Sequence, residues 1–184
     1  MKSYVNSAAW THTQGSLPWL TVEGDSTAHM KIVVLSVGRV RQQFIKQGEE
    51  EYLKRLKGGF QVEVQELGLE SPESMSAQEV QEREGTEVLK KLRSGEFVVV
   101  LDERGKALSS KEFAAFCTAR MNSGIKTLWF VIGGAYGFSE KVRQRADYIL
   151  SLSGMTLPHQ FSRLLLIEQL YRAYTLSQGI KYHK

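Results

Sequence analysis

At 184 residues, with 42% hydrophobic and 24% charged, the chain can bury one sizeable core, which excludes a disordered chain. A single cysteine, Cys117, excludes an internal disulfide; no Cys/His set has zinc spacing, and no apolar run approaches the roughly 20 residues of a membrane-spanning helix, so the expectation is a cytoplasmic protein with neither metal nor membrane anchor. The net charge of +4 is uneven: residues 30–140 hold 16 basic and 16 acidic side chains, residues 141–184 seven basic (Lys141, Arg143, Arg145, Arg163, Arg172, Lys181, Lys184) against two acidic, as in a nucleic-acid-facing end or a solvated helix face.

Residues 1–29 are rich in Ser, Thr and Gly, follow neither the helical nor the strand period and lack the apolar centre of a signal peptide. They read as an irregular leader, vector-derived or from an upstream start, with an interaction tail as the other reading. Met30 is the expected natural start, and residues 30–184 the expected single domain.

KIVVLSV at 31–37 predicts a strand, and Phe44, Ile45, Tyr52, Leu53 and Leu56 predict an amphipathic helix over 41–57, ended by Gly58 and Gly59. FQVEVQEL from Phe60 alternates as a half-buried strand does. After a loop with Pro72, Ser76 and Glu79 form a capping box for a helix to about Arg93. FVVVL at 97–101, apolar at every position, predicts a strand buried on both faces. Ser109 and Glu112 open a second capped helix with Phe113, Phe116 and Cys117 on its apolar side, and TLWFVI at 127–132 repeats the buried-strand pattern. Ser139 is the expected N-cap of a short helix ending near Asp147, and Tyr148 to Leu152 a further strand. The last helix should run from near Pro158 to a stop at Gly179. Its apolar residues Leu164, Leu165, Ile167, Leu170, Tyr171 and Tyr174 occupy more than one stripe, which suits a homodimer or a helix well buried in a monomer.

Strands alternating with helices predict an α/β fold with a mostly parallel sheet and helices on both faces, in which ligands bind beyond the carboxyl ends of the strands. The loops after Leu101, Ile132 and Leu152 should therefore converge. VIGGAYGFSE at 131–140 lacks the Lys and Ser/Thr of a P-loop and the position of a dinucleotide fingerprint, so alone it is a ligand wall or a tight turn. SLSGMTLPHQ at 151–160 can offer free backbone groups to the edge of a base, with Met155 and Leu157 beside the ring, or be an ordinary connection. His159 is a candidate general base, although a first-turn histidine is more often a polar or capping residue. Asp102 and Glu103 can bind a ribose hydroxyl but read rather as exposed turn residues before Gly105. The ending GIKYHK is a frayed tail, or aromatic and cationic groups placed to stack on a base and meet phosphate.

Taken together, LSVG at 35–38, IGGAYGFS, LSLSGMTLPHQ, RLLLIEQLYRAY and the terminal YHK resemble the RlmH family of ribosomal RNA methyltransferases within the SPOUT superfamily, over residues 31–184. The resemblance implies a C-terminal trefoil knot, a homodimer, S-adenosylmethionine as methyl donor, and methylation of N3 of a pseudouridine in the 23S RNA of the assembled ribosome. It places cofactor contacts on Leu101, Gly133, Gly134, Ser153, Gly154, Met155, Thr156, Leu157 and Pro158, the two glycines giving the bent cofactor room against bare backbone. It places RNA-facing and catalytic groups on Glu168, Arg172, Tyr182, His183 and Lys184, with Glu168 or His183 as proton acceptor. Lys181 departs from a proline frequent in the family's tails. Two other readings remain: a nucleotide-dependent α/β enzyme using the glycine loop for phosphate, and a noncatalytic RNA-binding protein of the same fold.

Overall fold

The structure, a computed structural model, describes residues 30–69, 72 and 74–180. The leader and the tail residues Lys181, Tyr182, His183 and Lys184 lie outside the described residues. The elements in chain order are β1 (Lys31–Val37), α1 (Gln43–Leu56), β2 (Gln61–Leu67), α2 (Ala77–Lys91), β3 (Phe97–Ala107), α3 (Ser110–Asn122), β4 (Thr127–Ile132), α4 (Glu140–Arg145), β5 (Tyr148–Ser151) and α5 (His159–Ser177).

Local chemistry sets the boundaries. Both capping boxes form: the Ser76 and Ser109 hydroxyls accept from the N–H of Glu79 and Glu112, whose carboxylates accept the cap N–H at 2.8 Å each. Ser139 is the N-cap of α4, but its side chain makes no cap hydrogen bond, because its hydroxyl is packed against Gly85 of α2. Gly179, at φ +65°, ends the last helix in the left-handed region.

All strand pairs are parallel, in the order β2-β1-β4-β3-β5. Successive residues point to opposite faces, and the unbroken apolar runs serve both. Ile32, Val34, Val99, Leu128 and Phe130 pack beneath α1, α3 and α5 with Leu56, Phe113, Cys117, Leu166, Ile167 and Leu170. Val33, Leu35, Val98, Val100, Trp129 and Val131 pack beneath α2 and α4 with Val88, Val142 and Phe138. Connections that step one way along the sheet (α1, α3) use the first face and those that step the other way (α2, α4) the second, as a common crossover hand requires. The neighbouring strands β3 and β4 thus send their outgoing chains to opposite faces, which opens a crevice at their carboxyl ends.

Two expectations are corrected. Asp102 and Glu103 do not end the strand in a turn: β3 runs on to Ala107 through a register break, with Leu150 of β5 opposite both Leu101 and Lys106, and of the two only Glu103 is exposed. Gly105 is needed there, since a Cβ would lie 2.7 Å from the Ile149 carbonyl oxygen. Among the described residues, the basic excess of the last quarter is not a bare cationic face. Lys141 pairs with Glu82, Arg143 with Asp102, Arg145 with Asp147 and Arg172 with Glu168. Arg163 is buried, its guanidinium on both Glu49 oxygens at 2.6 Å, on Glu66 at 2.7 Å and on the Ser36 hydroxyl at 3.1 Å. The two carboxylates outweigh the desolvation of Arg163 and raise its value further, and the whole set of contacts ties α5 to α1, β1 and β2.

Candidate functional site

A cavity of about 600 Å3 opens at the carboxyl ends of β3, β4 and β5, within the range of small-molecule sites. Three stretches wall it: Leu101 to Arg104, Ile132 to Phe138, and Leu152 to Ser162. Of the nine residues expected to hold a cofactor, Leu101, Gly133, Gly134, Ser153, Met155, Thr156, Leu157 and Pro158 line it, whereas Gly154 is exposed and does not.

Polar contacts brace these walls against one another. The Arg143 guanidinium donates to Asp102 at 2.7 Å and to the Phe138 carbonyl at 3.1 Å, joining the bulged end of β3 to the end of the glycine loop. Burial alone would raise the Asp102 carboxyl, but the Arg104 N–H and the Arg143 guanidinium outweigh it and hold it below the usual range. The Thr156 hydroxyl donates to Glu103 at 2.6 Å, linking the first wall to the third. Within the third, the Ser153 hydroxyl accepts from the Met155 N–H at 2.9 Å and the Ser153 carbonyl from the Ser151 hydroxyl at 2.8 Å. Met155 stays 75% exposed at the mouth.

The glycine loop closes with a hydrogen bond from the Gly137 N–H to the Gly134 carbonyl at 3.1 Å, Gly137 standing at φ +77°. A Cβ on Gly133 would lie 3.1 Å from the Phe138 ring, and one on Gly134 would lie 2.6 Å from Glu84 Oε2. The missing side chains therefore make room for the protein's own Phe138 and Glu84. This is a reason for the glycines that the sequence did not offer, and both also line the cavity. His159 lines the inner end with its Nε2 toward Gly38, and burial first, then the Arg163 charge, pushes its imidazole below the usual range.

Glu168 and Arg172 do not line this cavity. They lie one turn apart on α5, where Arg172 donates to Glu168 Oε1 at 2.5 Å and Gln169 donates to Glu168 Oε2 at 2.5 Å. Sequence reasoning missed Arg143 and Glu84. Arg143 carried no readable signal, since its acid partner is 41 residues away. Glu84 carried one: with Val80 and Val88 it falls at i, i+4, i+8, a carboxylate on the apolar stripe of α2.

A parallel α/β sheet with a cavity walled by three strand-end loops, the glycine loop offering mainly backbone and apolar side chains, defines an α/β protein with a small-molecule site. Residues 30–183 match the family described as "Predicted SPOUT methyltransferase", and the chain belongs to that family. With the family come a knotted α/β fold, methyltransferase activity and a methyl donor. Similar relatives bear the name "Ribosomal RNA large subunit methyltransferase H", three of them as follows. That of Carboxydothermus hydrogenoformans is 43% identical over 159 residues, covering 84% of this chain and 100% of its own. Those of Pelotomaculum thermopropionicum and Syntrophotalea carbinolica are 45% identical over 156 residues (83% and 98% covered) and 41% over 154 residues (84% and 99% covered). Among the described residues no helix is long and apolar enough to cross a membrane.

Proposed function

We propose that the protein is an S-adenosylmethionine-dependent methyltransferase of large-subunit ribosomal RNA, acting on N3 of a pseudouridine in the assembled ribosome, in the cytoplasm and as a homodimer. The observation that carries this reading is the cavity at the ends of β3, β4 and β5, walled by the loops on which the family resemblance placed the cofactor.

The residues present suit this donor. Leu101, Ile132, Leu152 and Leu157 offer apolar contact to a ring, and the glycine and Ser153 loops offer backbone groups to its polar edges. The donor has no phosphate and a net positive charge; the lining Arg143 is already held by Asp102 and the Phe138 carbonyl, and the carboxylates of Asp102 and Glu103 stand on the first wall beside Arg104. This disfavours the phosphate reading of the glycine loop. When bound, the cofactor supplies a methyl carbon activated by its sulfonium.

The protein has to orient the base, exclude water and remove the N3 proton so that the nitrogen pair becomes available. We assign base and phosphate contacts to Arg172, Tyr182, His183 and Lys184, and the proton to Glu168 or His183. A cation beside the base stabilises the negative charge that develops on the ring. Removal of Tyr182 to Lys184 is expected to abolish methylation while calorimetric donor binding persists; equal loss of both would refute this division of labour.

The deciding experiment incubates ribosomes lacking the modification with methyl-labelled donor and maps the labelled nucleotide. Label on N3 of one pseudouridine is expected. Donor binding without label would leave a noncatalytic RNA-binding protein, and tight ATP or NAD binding with no response to the donor would leave a nucleotide-dependent enzyme.

A further inference from the structure

Glu84 belongs to α2, yet its carboxylate is packed beneath the glycine loop. The residue is 8% exposed, and its Oε2 has no hydrogen-bond partner among the described residues. A Cβ on Gly134 would lie 2.6 Å from Oε2 and 2.8 Å from Oε1. Gly134 lines the cavity, so bare backbone is what stands between this carboxylate and the ligand space. The carboxylate is also held in place, because the adjoining Gly85 receives the Ser139 side chain at the far end of the same loop.

Burying a carboxylate without a partner is costly, and desolvation raises the Glu84 carboxyl above its ordinary range. Val80 and Val88, one turn away on either side, are the residues such a stripe normally carries. A charge with no partner among the described residues, set against a cavity, calls for a cation from outside. Resting on the reading of that cavity as the S-adenosylmethionine site, we propose that Glu84 is a positioning residue for the donor's positive charge, acting across the Gly134 backbone to favour the sulfonium ligand over its neutral demethylated product. S-adenosylmethionine carries a sulfonium, an ammonium and a carboxylate, and S-adenosylhomocysteine only the last two. The ligands differ by one methyl group and one charge, and a fixed carboxylate in a medium of low dielectric separates them where shape hardly can.

Calorimetric titration of the full chain with S-adenosylmethionine, S-adenosylhomocysteine and sinefungin, which carries an amine-bearing carbon in place of the sulfonium, tests this. The wild type is expected to prefer the two cationic ligands. Glu84→Gln, of the same shape without the charge, is expected to weaken both about tenfold and to leave S-adenosylhomocysteine within about twofold, one ionic contact's difference. Glu84→Asp should keep part of the preference. Equal weakening of all three ligands, or no change in any, overturns the proposal. Should Glu84→Gln not fold, the wild type still decides: a preference for sinefungin over S-adenosylhomocysteine supports the proposal and equal affinity overturns it. Failure of the wild type to bind any of the three would instead overturn the assignment of the cavity.

Discussion

His159 stands in the first turn of α5 with its ring against Gly38, and burial, then the Arg163 charge, both favour the neutral imidazole. A folded value below the unfolded one means that the unfolded chain binds the proton more readily. The stabilisation is therefore complete above the ordinary histidine value of about 6.5 and is lost as pH falls through the lowered one. Thermal melts between about pH 7.5 and about pH 5 should show the wild type losing stability relative to His159→Gln; parallel curves would refute this. Glu84 runs the other way. Its folded value is raised, so its carboxyl favours folding below the ordinary glutamate value and this stabilisation is lost as pH rises through the raised one. One cavity thus borders a histidine that favours folding when neutral and a carboxyl that does so when protonated.

The glycine loop and α2 grip each other where Gly134 meets Glu84 and Gly85 meets Ser139, and the Gln81 side chain donates to the Tyr136 carbonyl. Gly134→Ala is expected to cost about 1–3 kcal/mol, since the new methyl group meets a carboxylate that must move or push the loop aside. Adding Glu84→Ala removes the obstacle, so denaturant titration of the double variant should return most of that loss; strict additivity would show that the two residues do not touch. Such a contact shows why only part of the site was legible. The strands, the capping boxes at Ser76 and Ser109 and the convergence of three loops follow from periods and local hydrogen bonds, which act within a few residues of sequence. The fit of Gly134 to Glu84 and the Arg143 to Asp102 bond join residues more than 40 positions apart, and no period records them. The end of β3 was misread for the same reason, because β5 pairs with Lys106 and Ala107 and so carries β3 past the bulge at Asp102 to Gly105. The knot left no local trace either, and only the likeness to a family brought it in.

At the scale of the molecule, the face bearing α1 and α5 keeps two aromatic rings in view: Phe44 is 56% and Phe161 47% exposed, their centroids 6.0 Å apart. If the proposed homodimer uses this face, Phe161→Asp should convert it to monomers in light scattering while leaving the melting of each subunit nearly unchanged; an unaltered mass would place the interface elsewhere. The internal pairing of the late basic residues bears on a different property. Lys141, Arg143, Arg145 and Arg163 already face carboxylates of their own chain. Side chains neutralised in this way displace few counterions from an RNA backbone. The affinity for ribosomal RNA should therefore fall only gently with added salt, with a logarithmic slope shallower than if each of these four, free, contributed roughly −0.7.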